Sequence, residues 1–327
     1  PIISKKKFLD NKRAQEVEIL KKKLPKIDVI STALLEMDEK SLSEDNIEAL
    51  LDIAIKEEEL ATYKSMGTDG IWENNEMFLI ELNEIPNYKE KLNIWCLILK
   101  YEYLLPRLEE SFIYMKDACN EIKNDKHFKD LLFTILSLGN FLNSGTINGK
   151  AVGFYLDFLP TLCGIKDNFG KSILSFICAQ LNKDDPSFED IKKQFPKLEK
   201  ASRFSMKETK KKLDEISIKV NTVDELLKKL KQHDTFIMKA TTSLERAKKM
   251  IKEYQKLEKE NREYYHETIL FFGYEEKDKD NNKYYDDNES FFKMLLNFFT
   301  EVDKYIPKTN VKRIEDHQNR VIGQKES

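Results

Sequence analysis

The sequence predicts an all-α fold, and three observations support this prediction. Charged residues make up 35% of the 327-residue chain, well above the ~25% of a typical soluble domain. The ten glycines and eight prolines are too few for the many tight turns of a sandwich or barrel. Between residues 206 and 254, apolar residues alternate spacings of three and four, which is a heptad seam that packs long helices side by side. The length allows two or three domains.

Composition also excludes several classes of partner. The net charge of −3 gives no overall basic field, so we expect no nucleic acid partner. No apolar run approaches the ~20 residues of a membrane span, so we expect no membrane partner and a cytoplasmic protein. The four histidines have no metal-ligand spacing, and no cofactor is expected. The four cysteines lie singly among apolar residues, which predicts reduced thiols that pack as small hydrophobic side chains; they are Cys96, Cys119, Cys163 and Cys178.

The first third of the chain is predicted to form short helices separated by turns. Asn11–Leu24 is expected to be a helix with one apolar stripe, and Ile19 falls about 130° from the centre of that stripe at 100° per residue. Ser41–Glu44 with the following Ile47, Leu50 and Leu51 is typical of a capped amphipathic helix. Asn93–Tyr114 is strongly apolar, and Pro106 predicts a kink or a restart within it.

The remaining elements are longer. His127–Asn143 is predicted to be a buried helix because its apolar residues leave little polar face. The heptad seam lies in a stretch without glycine or proline, and Gln232–Asp234 is its expected interruption. Gly273 is a good helix stop. An acidic, solvated loop is expected at residues 275–288, a final apolar helix at Ser290–Tyr305, and a frayed or extended polar tail beyond Pro307.

The N-terminus is locally basic. Residues 1–26 contain nine basic and three acidic side chains. This pattern is consistent with a solvated face, or with a patch that steers an acidic partner. Ile19, off the core stripe, either packs on another helix or is an apolar anchor in this basic surface.

The densest motif runs from Leu138 to Leu159. It predicts a helix that ends at a loop rich in asparagine and glycine, where glycine permits positive φ or a close backbone approach. Such a loop would leave a concave surface for a bulky side chain of a partner. It lacks the spacing of a phosphate-binding loop. The pattern resembles the signature of the formin homology-2 domain, and the matching residues are Gly139, Asn140, Asn143, Gly145, Gly149, Gly153 and Phe154.

The resemblance covers about residues 8–305. Leu9–Gln15 followed by Ile19 is similar to the opening of the family's knob, Leu198–Arg203 to the entry of its long coiled-coil helix, and Phe271–Gly273 to the turn that ends the return helix. The resemblance implies an elongated multi-helix module. Its implied parts are a knob-like subdomain at 1–105, a post region with the glycine signature at 106–196, long coiled-coil helices at 197–272, and an acidic loop, C-terminal helix and tail at 273–327.

The same resemblance implies a function without catalysis. Formin homology-2 domains bind actin in the cytoskeleton, nucleate its filaments, and cap or elongate the barbed end. The implied actin contacts are Ile19, an apolar anchor, and Lys166, a charge opposite acidic groups of actin; Arg13 and Lys12 are weaker candidates. The intact domain is implied to be a homodimer in which the signature receives an N-terminal lasso of the partner subunit. Profilin-actin is implied to bind a proline-rich region outside this chain.

The sequence departs from the family pattern in two places. Between Leu159 and Lys166 it is mostly apolar where the family usually carries charged residues. Before Phe8 it lacks the tryptophans of a lasso, so we expect this fragment of a longer protein to be monomeric or weakly associated. Trp72 and Trp95 are expected in the core. Two alternatives remain open: a helical scaffold without actin activity that binds other proteins, and an enzyme using Cys163 or Cys178 with a histidine.

Overall fold

The computed structural model describes residues 5–67, 69–185, 187–188, 190–230, 234–274 and 284–306. Within these residues the regular structure is helical, and the extended pairings are isolated bridges of Lys6 with Trp72 and of Lys166 with Ser172. The all-α prediction is therefore confirmed. The chain divides into two compact units, unit one (Pro1–Arg107 and Lys212–Glu253) and unit two (Leu108–Lys211 and Tyr254–Ser327). The four-part division into knob, post, coiled coil and tail stays a prediction.

The described helices are numbered in chain order. The sixth helix runs through Pro106 without a restart. The helices are α1 Asn11–Lys21, α2 Ile27–Glu36, α3 Glu44–Ile53, α4 Glu57–Ser65, α5 Asn74–Glu84, α6 Tyr88–Asn124, α7 Lys126–Leu142, α8 Phe158–Leu162, α9 Ile173–Asp184, a 3₁₀ helix Ile191–Gln194, α10 Pro196–Ala201, α11 Met206–Lys229, α12 Thr235–Phe271 and α13 Asn288–Asp303.

Unit one is built from the N-terminal helices. Helix α1 packs on α3 and α5, and α2 also packs on α5. Helix α3 is capped within the predicted segment Ser41–Glu44, where Ser43 accepts a hydrogen bond from the backbone N–H of Asn46. Trp95 is fully buried and meets Phe236 edge to face, with ring centroids 6.3 Å apart. Trp72 is buried too, which confirms the core position predicted for both tryptophans.

Unit two surrounds helix α13. This helix packs against α8, α9, α10 and the 3₁₀ helix. Its Phe299 is fully buried, stacks on Phe195 at 4.5 Å and meets Phe128 edge to face at 5.1 Å. Aromatic pairs of this geometry each contribute ~0.5–1.5 kcal/mol beyond the area they bury. The apolar C-terminal helix that the sequence predicts is therefore the centre of this core.

The predicted heptad seam is buried on both long helices. Leu213, Val220 and Ala240 are all less than 2% exposed. Helix α11 ends at Lys229 and α12 starts at Thr235. The long helical stretch is therefore interrupted close to the predicted Gln232–Asp234, although residues 231–233 lie outside the described residues. The predicted acidic loop and polar tail fall largely on residues 275–283 and 307–327, which also lie outside them.

Two helix predictions are corrected by the structure. Helix α1 ends at Lys21 rather than Leu24, because the residue before Pro25 is disfavoured in helical conformation and the helix closes in a turn before it. Helix α7 has the predicted ends within one residue, but only one of its faces is buried. Phe128 and Leu131 are fully buried, whereas Phe133 is 71% exposed.

Candidate functional site

The first candidate surface is the outer face of helix α1 in unit one. Asp10 caps this helix by accepting a hydrogen bond from the backbone N–H of Arg13 at 2.8 Å. Val17 is fully buried, and Ile19, two residues later, is 53% exposed. Ile19 therefore points away from the core, as its position on the helical wheel predicts. Lys12 is exposed on the same helix.

Arg13 is not part of that exposed face, and this corrects its prediction as a surface charge. Its side chain is 9% exposed and its Nε donates to Glu59 Oε1 at 2.9 Å. The two terminal nitrogens donate to the carbonyl oxygens of Asp52 and Ala54 at 3.2 and 3.3 Å. The planar guanidinium thus joins α1 to the end of α3, to Ala54 just after it and to the start of α4, a role that needs several fixed donors.

The second candidate surface belongs to unit two and begins with the signature loop, residues 139–154. Asn140 Nδ2 donates to the carbonyl of Ala151 at 2.9 Å, and its Oδ1 accepts from the N–H of the same residue at 2.8 Å. Asn143 Nδ2 donates to the carbonyl of Gly139 at 2.9 Å. Asn140 therefore holds the far end of the loop against the end of α7, whereas the bond of Asn143 lies within that helix end.

The glycines of the loop differ in whether the structure could accommodate a side chain in their place. A Cβ on Gly149 would lie 2.4 Å from the carbonyl oxygen of Asn143, so the backbone approach there is too close for any side chain. Gly145 has a φ of +82°, which strains other residues. Gly139 and Gly153 have open space where a side chain would stand, so only the first two are required by the fold of the loop.

An apolar groove of about 650 Å³ lies beside the signature loop. Phe133 of α7 is 71% exposed and Val152 of the loop is fully exposed. Phe154 is half-buried and meets Phe158 edge to face at 6.0 Å. The residues lining the groove come from α6, α7, the loop and the end of α12; they are Ile122, Phe128, Lys129, Leu132, Phe133, Leu136, Val152, Gly153, Phe154, Tyr155, Leu156, Phe271, Phe272 and Gly273.

Sequence reasoning missed Phe133 as a wall of this groove. The signal was present, because Phe133 shares a helix face with Lys129 and Asn140 at spacings of four and seven. A large aromatic residue on the polar face of a helix indicates an exposed contact.

Lys166 lies in a short hairpin, residues 165–173, that leads into α9. It is exposed and forms the bridge with Ser172. The N–H of Ile173 donates to the carbonyl of Ile165 at 3.0 Å. Leu162, just before the hairpin, is 3% exposed. Leu162 therefore anchors the chain just before the hairpin in the core, whereas Ile165 at the base of the hairpin is 36% exposed.

The cysteines have the environment of core residues. Cys119 and Cys178 are fully buried, and burial raises the pKa of each thiol to about 12. The half-buried Cys163 donates a weak hydrogen bond to the carbonyl of Leu159, and burial raises its pKa as well. A thiol held protonated is a poor nucleophile. The burial and the raised pKa of these thiols therefore support the packing role that the sequence predicts.

No group of three or more His, Cys, Asp or Glu side chains in the described part of the chain could hold a metal ion. None of the helices described is both long and apolar enough to cross a membrane.

Comparison with known families accounts for these features together. The family model described as Formin Homology 2 Domain matches residues 3–303. The chain belongs to this family. The predicted resemblance is therefore confirmed, and it extends over more of the sequence than the glycine signature alone. The formin homology 2 family is one of cytoskeletal actin-assembly proteins and not a family of enzymes.

Several curated relatives share this domain. Over 63% of this chain, it is 30% identical to Formin-like protein 13 of Arabidopsis thaliana. Over 61% of this chain, it is 31% identical to Formin-like protein 3 of Oryza sativa. Formin-J of Dictyostelium discoideum is 29% identical over 97% of the chain. The chain spans 17, 16 and 13% of these three proteins, respectively, so it corresponds to a small part of each.

Proposed function

We propose that this chain is an actin-binding formin homology-2 domain that nucleates actin filaments and caps or elongates them at the barbed end. Its place of action is the cytoplasmic actin cytoskeleton. The observation that carries the proposal is the exposure of Ile19, 53% of whose surface is open to water at the position that corresponds to the family's apolar actin anchor.

The setting of Ile19 suits a protein contact. It lies on a helix that Asp10 and Arg13 fix at its start, so little order has to be gained on binding. An apolar side chain that fills a pocket at the centre of an interface commonly contributes ~2 kcal/mol or more. Lys12 on the same helix adds positive charge, which favours approach to an acidic surface.

Lys166 is proposed as the second actin contact, through unit two. The hairpin holds its backbone in place, and its side chain remains exposed. A lysine ammonium acts as a compact point charge on a flexible stem. Pairing with a carboxylate of actin needs charge at that place more than a particular fork geometry.

The apolar groove is proposed as the site of dimerisation. The signature loop and Phe133 expose an apolar surface that water does not favour, and the family places the lasso of the partner subunit against this signature. A chimaera carrying, ahead of residue 1, the segment of Formin-J that directly precedes its matched region tests this proposal by sedimentation equilibrium. We expect the chimaera to dimerise and its Phe133→Asp variant to do so at least tenfold more weakly. A chimaera that stays monomeric would contradict the groove assignment.

Profilin-actin would then be supplied by a proline-rich region outside this chain. The alternative is a non-catalytic helical scaffold that uses the same groove to bind other proteins and has no actin activity. The two differ in a single measurement, which is whether the chain slows or sustains elongation of filament seeds whose barbed ends are free.

The decisive experiment compares the chain with a double variant, Ile19→Ala with Lys166→Asp. Elongation from seeds is followed with fluorescent actin, and barbed-end affinity is taken from the dependence on protein concentration. We expect the wild-type chain to change the elongation rate and the double variant to do so only at much higher concentration. A control variant, Ile218→Ala with Lys183→Asp, replaces exposed residues outside the proposed surfaces. A wild-type chain without effect would favour the scaffold.

A further inference from the structure

The hairpin that holds Lys166 also presents an aromatic side chain to water. Phe169, at its tip, is 89% exposed, the largest exposed fraction of any aromatic residue in the described part of the chain. None of the aromatic pairs found there includes Phe169, so its ring does not stabilise the hairpin through another ring. The sequence signature does not include this position, and the resemblance assigns it no role.

The tip is held rigidly although its side chain is free of the core. Asp167 Oδ1 accepts hydrogen bonds from the N–H groups of Phe169 and Lys171, both at 2.8 Å. The N–H of Asp167 donates to the carbonyl of Lys171 at 2.8 Å, and Gly170 completes the turn with a φ of +79°. The backbone that carries Phe169 is therefore ordered before any partner binds, which lowers the entropic cost of binding.

The chemistry around Phe169 matches that of an interface centre. Lys166 and Lys171 flank it within five residues, and both are exposed. The single acidic side chain between them, Asp167, is engaged with the backbone of the turn. Aromatic residues are enriched at the centres of protein interfaces, and charged groups such as these two lysines belong to the polar rim around such a centre.

We propose that Phe169 is a second anchor of the actin contact at Lys166, and that its ring enters an apolar depression of actin bordered by acidic groups. This inference rests on the proposed function. It assigns the partner by continuity with the Lys166 contact, since the two residues share one rigid hairpin.

The test uses the whole chain with p-benzoylphenylalanine incorporated at position 169, irradiated in the presence of capped and uncapped actin filaments. We expect a crosslink to actin that depends on free barbed ends, and none from the same group at position 218, an exposed isoleucine on α11. In seeded elongation, Phe169→Ala should weaken barbed-end affinity about tenfold, which corresponds to 1.4 kcal/mol. Phe169→Leu should recover part of it, and Ile218→Ala should have no effect.

The possible outcomes separate this inference from the proposed function. If Lys166→Asp weakens binding and Phe169→Ala does not, the inference is wrong and the proposed function stands. If the wild-type chain does not bind barbed ends, both are wrong. A lower melting temperature for Phe169→Ala would also count against the inference, because it would show that the ring stabilises the fold.

Discussion

Asn140 and Ala151 are joined by two hydrogen bonds, in which the side-chain amide of one residue pairs with both backbone groups of the other. The distances are 2.9 Å to the carbonyl oxygen and 2.8 Å from the N–H. The side-chain amide thus makes the same pair of hydrogen bonds with a backbone N–H and C=O that a residue of a neighbouring β-strand would make. It fixes the separation between the end of α7 and the beginning of the apolar segment that borders the groove.

The first prediction concerns that pair. Asn140→Asp keeps an acceptor for the N–H of Ala151 but places a carboxylate opposite its carbonyl oxygen, so we expect a loss of ~1 kcal/mol in the free energy of unfolding. Urea denaturation measures the loss, and amide hydrogen exchange at Ala151 should become faster. Asn148→Asp, an exposed position in the same loop, is the matched control and should change neither. Unaltered exchange at Ala151 in Asn140→Asp would contradict the role of the pair.

The second prediction separates the two kinds of glycine in the signature. Gly149→Ala forces a Cβ to within 2.4 Å of the carbonyl oxygen of Asn143, and the backbone must shift at a cost of ~1–3 kcal/mol. Gly153→Ala meets open space and should leave the free energy of unfolding unchanged. Equal effects of the two substitutions in urea denaturation would show that the loop adapts to a side chain at residue 149.

The third prediction concerns Arg13, which the structure places inside unit one. Arg13→Ala removes the guanidinium from the Glu59 carboxylate, whose side chain is only 12% exposed, and breaking a largely buried pair typically costs ~3–5 kcal/mol. Lys12→Ala, its exposed neighbour, should cost almost nothing in the same urea titration. The double variant with Glu59→Gln should recover part of the loss, since no charge is then left unpaired. A loss below 1 kcal/mol for Arg13→Ala would instead indicate an ordinary surface ion pair.

Arg13 also shows where sequence reasoning ends. Its neighbours in the sequence give a basic helix face, and nothing local reveals that Glu59, 46 positions later, folds onto it. The heptad seam and the helix cap at Ser43 were predictable because their causes lie within a few residues. Phe133 was assigned to a buried helix because apolar composition alone does not say which face a second layer covers. Long-range partners decide such cases, and a single sequence does not contain them.

The fourth prediction tests Ile19 as a surface anchor. Ile19→Ala should weaken barbed-end binding by ~2 kcal/mol or more, while the melting temperature stays within experimental error because 53% of the residue is already exposed to water. Ile218→Ala removes a comparably exposed isoleucine, 65% against 53%, and should leave the affinity unchanged. A marked fall in melting temperature for Ile19→Ala would show that this side chain stabilises the packing of unit one.

The fifth prediction concerns the charge at Lys166. Close charge pairs at protein interfaces couple by ~1.5–7 kcal/mol, so Lys166→Asp should weaken barbed-end binding at least tenfold at physiological salt. The effect should shrink as salt is added, because screening acts on the wild-type attraction and on the repulsion in the variant alike.

Lys183→Asp reverses an exposed charge on α9 and is the matched control. Seeded elongation at two ionic strengths gives the affinity of the wild-type chain and of both variants under each condition. A loss of affinity that does not respond to salt would mean that Lys166 contributes through its aliphatic stem, and equal affinities of Lys166→Asp and Lys183→Asp would remove Lys166 from the contact altogether.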